Sequence, residues 1–247
     1  MTITFPNLVL CQNDSVSIHQ TGYIHSYFYN GIGLLKSPLK WNGDDWSKAT
    51  ATLLVTGLTL TMDDAISEPV FKWQSKDAQN FGKTGKFLGH IIPQLSISGL
   101  SIGYGAITKN TKVRNFGLDN LQSHIYIGGL TYFIKEMTHR ARPFTGLDKY
   151  SFSGPFKNTE YESFYSGHAA LAFGTATMLF LHSKKNIWVG IAGYSIATGI
   201  AVSRLQKQEH WASDVILGSI MGSAISTFVY KQQEKRRVLK QSLKPLP

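Results

Sequence analysis

The stretch SRLQKQEHWASD (residues 203–214) brings an arginine, a histidine and an aspartate together directly after a segment without formal charges. These residues are Arg204, His210 and Asp214, and they fall within eleven positions of one another. A solvated helix face needs no histidine, and a buried face excludes arginine and aspartate unless they are paired. Taken alone, the stretch indicates either an ion-pair cluster at a helix end or a catalytic site built around the histidine.

The spacing of His210 and Asp214 is compatible with a catalytic pair as well as with an ion-pair cluster. On a helix that begins near residue 209 the two side chains share a face, because residues four apart are neighbours on a helix. We expect the carboxylate to accept a hydrogen bond from one ring nitrogen, which would fix the tautomer and leave the other nitrogen free as a nucleophile. Arg204 would add guanidinium donors for phosphate oxygens.

A second cluster is KEMTHRARP, residues 135–143. Lys135 and Arg142 are seven residues apart, close to two helical turns, so that both cations lie on one helix face. Pro143 is expected to end that helix. A solvated basic face is the alternative that these residues leave open.

A third cluster is YSGHAALAFGTATML, residues 165–179. Ser166 and Gly167 immediately precede an apolar helix, whose free amides and dipole attract an anion. His168 falls in the first turn, beside that anion position. An ordinary helix cap is the alternative interpretation.

In chain order, the three clusters resemble the signature of the type 2 phosphatidic acid phosphatase and vanadium haloperoxidase superfamily. The matching positions are Lys135-x6-Arg142-Pro143, then Ser166-Gly167-His168, then Ser203-Arg204-x5-His210-x3-Asp214. The resemblance covers about residues 120–230. Tyr165 stands where this family usually has proline, and we expect it to leave the turn freer and to add a hydroxyl near the pocket.

The resemblance implies an all-α fold, an antiparallel helical bundle of the phosphatidic acid phosphatase/haloperoxidase type, and catalysis without a metal or other cofactor. His210 would attack phosphorus to form a phosphohistidine, oriented by Asp214. His168 would protonate the leaving oxygen and later activate water. The phosphate-binding residues would be Lys135, Arg142 and Arg204, with the backbone amides of Ser166 and Gly167.

The implied function is a metal-independent phosphatase acting on a phosphate monoester or diphosphate, with vanadate expected as an inhibitor. A lipid-linked substrate is favoured: phosphatidate, phosphatidylglycerophosphate, undecaprenyl diphosphate or lipid A. A soluble, non-specific acid phosphatase of small esters is the alternative. A vanadium haloperoxidase and a non-catalytic phospholipid-binding bundle are the remaining interpretations.

The composition leaves membrane association open. Of 247 residues, 43% are hydrophobic and 16% charged, against about 25% charged in typical soluble domains. The mean hydropathy is nevertheless only −0.10, and several apolar segments are shorter than the roughly 20 residues that span a bilayer. A soluble or peripheral protein is favoured over an integral one. The expected location is a bacterial cell envelope, periplasmic or membrane-associated, with the cytoplasm left open.

The net charge of +10 indicates an anionic partner. Half of this excess lies in residues 231–247, a tail that could bind an anionic membrane surface. The chain has no zinc-finger spacing or other nucleic-acid signature, so no nucleic-acid partner is expected. Its one cysteine, Cys11, excludes an intramolecular disulfide and a cysteine-based metal site.

Three regions are predicted along the chain: a lead-in (1–43), a helical phosphatase domain (44–230) and the basic tail (231–247). The apolar run in residues 1–16 is similar to the end of a secretory signal peptide. Residues 12–50 otherwise suggest irregular structure, and the tail a solvated, partly disordered end. Helices are predicted near 44–62, 119–142, 168–182, 187–203 and 211–230. The segment 88–108 is apolar but interrupted by Pro93, and Asp63 and Asp64 most simply end a helix.

Overall fold

The computed structural model describes residues 22–155 and 161–242, and within these ranges it confirms the predicted all-α fold. The suggested signal-peptide remnant lies outside the described residues. The helices are α1 (Tyr23–Leu35), α2 (Gly43–Thr61), α3 (Asp63–Phe71), α4 (Lys76–Gly89), α5 (Ile91–Ile107), α6 (Thr111–Thr138), α7 (Gly167–His182), α8 (Ile187–Gln206) and α9 (Ala212–Ser242).

The long helices from α5 to α9 form the bundle. Helix α6 packs against α5 and α7, and α7 also packs against α8 and α9. Helices joined by short turns run antiparallel, so α7 and α9 run in the same direction. Their first turns, and the last turn of α6, therefore meet at one end of the bundle. This arrangement brings the three sequence clusters to the same place.

Glycines on α9 allow it to approach α7 closely. A Cβ atom at Gly222 would overlap the carbonyl oxygen of Ala170, and one at Gly218 would overlap that of Ser166. The close approach lets the Ser166 amide donate a hydrogen bond to the carbonyl of Asp214, at 3.0 Å. The starts of α7 and α9 are thus joined directly through their backbones.

Several segments are more regular than the sequence suggests. Helix α1 lies in the lead-in that was expected to be irregular, and α3 and α4 occupy the polar region that follows α2. Helix α5 is continuous through Pro93, which falls in the first turn where its missing N–H needs no helical partner. Helix α9 continues to Ser242, so residues 231–242 of the predicted tail are helical, with Gln233 and Arg236 buried and most other side chains exposed.

Candidate active site

The three sequence clusters converge at the end of the bundle where α6 ends and α7 and α9 begin. The connection between α8 and α9 supplies Glu209, whose carboxylate lies 2.6 Å from Arg204 Nη2 and 3.3 Å from Arg142 Nη1. The Ser166–Asp214 backbone bond joins the third cluster to the first. The residues assembled at this end are Lys135, Arg142, Ser166, Gly167, His168, Arg204, His210 and Asp214.

His210 is almost completely buried and held in one tautomer. Its Nδ1 lies 2.7 Å from the backbone carbonyl oxygen of Ser163. A carbonyl only accepts hydrogen bonds, so Nδ1 carries the proton and Nε2 keeps its lone pair. The pKa of His210 is lowered to about 4, mainly by burial. The cations Lys135 and Arg204 also lower it, whereas Asp214 raises it. The imidazole is therefore neutral at pH 7.

The expected hydrogen bond from His210 to Asp214 is not formed in the structure. Nδ1 lies 3.8 Å from the nearer carboxylate oxygen of Asp214, and the Ser163 carbonyl is its partner instead. Asp214 acts on Ser163 in turn, since its Oδ2 accepts a hydrogen bond from the Ser163 hydroxyl at 2.5 Å. The carboxylate supports the histidine through this residue and through its charge.

Asp214 belongs to a buried ion-pair network that the sequence did not reveal. Arg140 donates from Nη1 to Asp214 at 2.5 Å and from Nη2 to Asp63 at 2.7 Å, and all three side chains are fully buried. Asp63 also accepts hydrogen bonds from the backbone and the hydroxyl of Ser213, at 2.8 and 2.6 Å. Asp63 is the first residue of α3, so this helix is tied to the start of α9.

The sequence interpretation of this region needs three corrections. Helix α6 ends at Thr138, so Arg142 does not share a helix face with Lys135. Asp63 does not simply end a helix, because its carboxylate is completely buried against Arg140. In KEMTHRARP, Arg140 is buried within the protein, whereas Arg142 is partly exposed at the pocket. Both arginines lie near the end of an apolar helix. Their spacing in the sequence does not show which one forms a buried structural ion pair and which one is available to bind a ligand.

Arg204 has binding capacity that the protein leaves unused. Its side chain is completely buried, and within the described residues Nε and Nη1 have no hydrogen-bond partner. A buried guanidinium with unused donors is costly unless a ligand satisfies it. Arg142 Nε is likewise buried and unpartnered among the described residues. The two arginines therefore define a position for an anion with several acceptor oxygens.

Glu209 currently occupies part of that anion position. Besides the two arginines, its Oε1 lies 3.4 Å from Lys86 Nζ of α4. Burial raises the pKa of Glu209, but Arg204, Lys86 and Arg142 outweigh this and bring it down to about 2. The carboxylate is thus ionised at neutral pH and bridges the cations much as a phosphate oxygen would. Sequence reasoning missed Glu209 because no signature position falls on it.

Lys135 and the start of α7 complete the pocket. Lys135 Nζ donates to the carbonyl of Glu162 at 2.6 Å. The Ser166 hydroxyl caps α7 by accepting from the Ala169 amide. The Ser166 amide was expected to bind phosphate, but it is occupied by the Asp214 carbonyl. Gly167 and His168 follow at the first positions of the helix, whose amides have no partner within the helix.

His168 lies beside this helix start with an unused ring nitrogen. Its Nε2 is buried, and no atom of the described residues forms a hydrogen bond with it. The ring of His90, the N-cap residue of α5, lies 6.2 Å from that of His168. Gly89 leaves room for the histidine, since a Cβ there would press on its ring at 3.0 Å. A general acid aimed at a bound ligand would have such an unpaired nitrogen.

Tyr165 packs into the core. The side chain is 1% exposed and lies in an apolar cluster with Ile127, Ala170, Leu171 and Ile225. The turn before α7 is therefore anchored by the packing of the tyrosine ring. This corrects the expectation that tyrosine leaves the turn freer than proline would.

Comparison with known proteins agrees with the geometry. Residues 120–238 match the model of the PAP2 superfamily. Over 85 residues the chain is 38% identical to a lipid A 1-phosphatase of Porphyromonas gingivalis, a match that covers 33% of this chain and 19% of that protein. Over 115 residues it is 33% identical to an undecaprenyl-diphosphatase of Sulfolobus acidocaldarius, covering 47% of this chain and 54% of that protein. The matches thus span about a fifth and about half of these relatives.

Two solved structures share the fold. One is a transmembrane PAP2-type phosphatidylglycerolphosphate phosphatase of Bacillus subtilis, with a TM-score of 0.58 and 23% identity over 75% of this chain and 96% of that chain. The other is LpxE of Aquifex aeolicus, with a TM-score of 0.51 and 19% identity over 69% of this chain and 95% of that chain. At these identities the likeness establishes the fold alone. The superfamily match and the two relatives confirm the resemblance of residues 120–238 to the PAP2 superfamily.

Proposed function

We propose that this protein is a phosphoric ester hydrolase that removes phosphate from a lipid-linked monoester or diphosphate through a phosphohistidine on His210. The observation that carries the proposal is the pairing of a neutral, buried His210 with the unused donors of Arg204 at one pocket. His210 is a nucleophile whose tautomer is fixed, and Arg204 is a binding group for phosphate oxygens.

The proposed reaction has two steps. The Nε2 lone pair of His210 attacks phosphorus while the bond from phosphorus to the ester oxygen breaks. Burial, together with the charge of Arg204, lowers the pKa of His168 to about 3. The negative charge of a bound phosphate raises this pKa, so that His168 takes up a proton, gives it to the departing oxygen and later takes one from water. This water attacks the phosphohistidine, the N–P bond breaks, and inorganic phosphate leaves with His210 neutral again. No step calls on a metal, and metal independence stays a prediction.

Cations provide most of the stabilisation in this scheme. The transition state of phosphoryl transfer spreads negative charge over three equatorial oxygens. Lys135, Arg142 and Arg204 surround the proposed phosphate position, and donors that are already in place need no reorganisation during the reaction. The substrate must displace the Glu209 carboxylate from the arginines, and Lys86 offers that carboxylate an alternative partner.

The outer surface favours a lipid substrate and a location in a membrane. Large apolar side chains are exposed on several helices, among them Leu53 of α2, Leu100 of α5, Phe133 of α6 and Trp188 of α8. Leu100 is 74% and Trp188 75% exposed. Large exposed apolar surfaces mark sites of interaction with proteins or membranes. Helices α8 and α9 are also long and apolar enough to cross a bilayer.

The polar interior supports the same placement. Buried residues between the helices include Gln94, Asn120, Gln122 and Ser123, while most of the large aliphatic side chains of α5 are exposed. In a bilayer the helices gain nothing by hiding aliphatic groups from lipid, and small and polar side chains hold them together. The lipid A 1-phosphatase and the undecaprenyl-diphosphatase among the relatives act, by their names, on lipid-linked phosphates. We therefore place this protein in the membrane of a cell envelope.

The test is phosphate release by the purified full chain in detergent, without divalent metal, from p-nitrophenyl phosphate, phosphatidate, phosphatidylglycerophosphate, undecaprenyl diphosphate and lipid A. We expect turnover with at least one lipid substrate, inhibition by vanadate, and a loss of about a thousandfold or more in His210→Ala. His25→Ala is the matched control, because His25 is exposed on α1 and distant in sequence from the site. A requirement for added metal, or a preference for the soluble ester alone, would contradict the proposal.

A further inference from the structure

A second cluster of cations lies at the other end of the bundle. Arg237 follows Asp214 by 23 residues on the same helix, α9, or about 35 Å along its axis. This distance is slightly more than the roughly 30 Å hydrocarbon thickness of a bilayer. If the catalytic end lies at one membrane surface, the end near Arg237 lies at the other.

This end is strongly basic. Within the described residues it carries three basic side chains between 109 and 114, two at 184 and 185, and five between 231 and 240. The acidic side chains in these segments and on the helix ends that they flank are Asp119 and Glu234.

Four of the cations line one cavity of about 650 Å³ between the N-terminal part of α6 and the last turns of α9. They are Arg114, Arg236, Arg237 and Lys240, and no acidic side chain of the described residues lines the cavity with them. Asn115 and Gln233 add polar groups to the wall. Ile102 and Leu118 form an apolar part of it. The cavity therefore offers charge for an anion beside a surface for hydrocarbon.

Ion pairs with Asp119 and Glu234 hold Arg237 in place at this cavity. Its Nη1 lies 2.9 Å from Asp119 Oδ2, and Nε lies 3.1 Å from Glu234. Asp119 is completely buried and also lies 2.9 Å from His182 Nε2. The remaining nitrogen of Arg237, Nη2, has no hydrogen-bond partner among the described residues. An arginine fixed in this way, with a donor to spare, is preorganised for a ligand.

Arg236 is oriented by an aromatic ring from α1. Its guanidinium carbon lies 5.5 Å from the centre of the Tyr23 ring, and Tyr23 also lines the cavity. Arg114 and Lys240, by contrast, are exposed at the rim. The cavity thus combines two arginines that are fixed by neighbouring side chains, Arg236 and Arg237, with two long exposed cations at its rim. Such an array suits the several oxygens of a phosphate group.

We infer that this cavity binds a phosphate-bearing anion, namely the headgroup of an anionic phospholipid in the leaflet opposite the catalytic site. The cations would hold the phosphate, and Ile102 and Leu118 would contact the glycerol and the upper acyl chain. The inference depends on the membrane placement proposed above but not on catalysis. It goes beyond a general attraction of the basic tail to the membrane, because it assigns the binding to one pocket.

The test uses the full chain carrying His210→Ala, so that no lipid is hydrolysed, in nanodiscs or detergent. Binding is measured by native mass spectrometry and by thermal stabilisation with phosphatidylglycerol, with phosphatidylcholine and with inorganic phosphate. The pocket variant is Arg114→Gln with Lys240→Gln. The control variant is Lys112→Gln with Lys235→Gln, which removes the same charge from the same end but not from the cavity lining.

We expect phosphatidylglycerol to bind more tightly than phosphatidylcholine, and its affinity to fall about tenfold in the pocket variant and less than about twofold in the control. If inorganic phosphate shows the same dependence on the pocket variant, the free anion is the ligand and the phosphate chemistry still stands. Equal losses in the two variants would show only diffuse surface attraction and overturn the inference. An unchanged affinity in the pocket variant would overturn it as well. Neither readout depends on turnover, so a failure here is distinct from a failure of the phosphatase proposal.

Discussion

Arg140 and Asp214 form a completely buried ion pair, with Nη1 of the arginine 2.5 Å from Oδ1 of the aspartate. On its other side Arg140 pairs with Asp63 at 2.7 Å. The guanidinium also lies over the rings of Phe152 and Trp211, at 5.4 and 5.6 Å. Arg140 therefore positions Asp214, and through Ser163 it positions His210, without touching the phosphate pocket itself.

The Asp63–Arg140–Asp214 network predicts that substitutions of two adjacent aspartates, Asp63 and Asp64, differ in their effects on stability and activity. Asp63→Asn removes a charge from a fully buried network and should destabilise the protein by about 3 kcal/mol. It should also lower kcat by about tenfold or more with little change in KM, because His210 loses its alignment. Thermal unfolding and steady-state kinetics provide the measurements.

Asp64→Asn is the matched control for this prediction. Its carboxylate is about half exposed and pairs with Lys149 at 2.8 Å. Such a pair contributes about 0–1 kcal/mol. Equal effects of the two substitutions, or a fall in stability at Asp63 with unchanged kcat, would show that Asp63 has no positioning role.

Glu209 should compete with phosphate for the arginines. Glu209→Gln removes the negative charge that bridges Arg204 and Arg142, so inorganic phosphate and vanadate should inhibit the variant at about threefold to tenfold lower concentrations. The substrate KM should fall in parallel. Glu68→Gln is the control, since Glu68 forms an exposed pair with Lys72 on α3. Weaker inhibition by phosphate in Glu209→Gln would mean that the carboxylate orients the arginines instead of competing.

The pKa of His210 predicts an unusually low acid limit for activity. Its folded-state pKa of about 4 lies below the ordinary value near 6.5, so the neutral form persists as the pH falls to about 5. Protonation then removes the lone pair, and kcat/KM should fall by half near pH 4. The measured profile must be corrected for the phosphate ester, which itself titrates near pH 6. An acid limb that remains centred near pH 6.5 after this correction would contradict the assignment of His210 as the buried nucleophile.

The close contact between α7 and α9 predicts that adding one methyl group to a glycine of α9 lowers the stability of the protein. Gly218→Ala and Gly222→Ala place a Cβ against the carbonyls of Ser166 and Ala170, and each should cost about 1–3 kcal/mol of stability. Gly218→Ala should also lower activity, because the Ser166–Asp214 backbone bond lies at the same contact.

The control for these substitutions is Gly128→Ala in α6, where a Cβ meets nothing within 4 Å. There the alanine should be neutral or stabilising by up to about 1 kcal/mol, as expected for a glycine in a helix. Thermal unfolding of all three variants checks the prediction. Equal stabilities would mean that α7 and α9 adapt freely at their contact.

Much of the fold could be predicted from the sequence because the helices that carry the site have clear boundaries. Asn186 caps α8, Ser166 caps α7, and each helix is apolar along its length. The lead-in and the region after α2 were harder. Helices α3 and α4 are polar and short, and they are held by tertiary contacts such as the one from Asp63 to Arg140. Helix propensity and hydrophobic periodicity do not predict such tertiary contacts.

The candidate site could be predicted to the level of its signature residues but not of their partners. The series of clusters identified Lys135, Arg204 and His210, and the structure brings them to one place. The sequence did not predict that His210 pairs with a backbone carbonyl, because the spacing of side chains carries no information about backbone partners. It also missed Glu209, since a carboxylate next to a catalytic histidine is indistinguishable in sequence from a solvated one.

The most direct test of the central claim is to trap the covalent intermediate. The full chain is mixed with a ³²P-labelled substrate that it hydrolyses, and the reaction is quenched in alkali, in which phosphohistidine survives. We predict label on the peptide that contains His210, no label in His210→Ala, and normal label in His25→Ala. Label on another residue, or undiminished turnover without His210, would contradict the account.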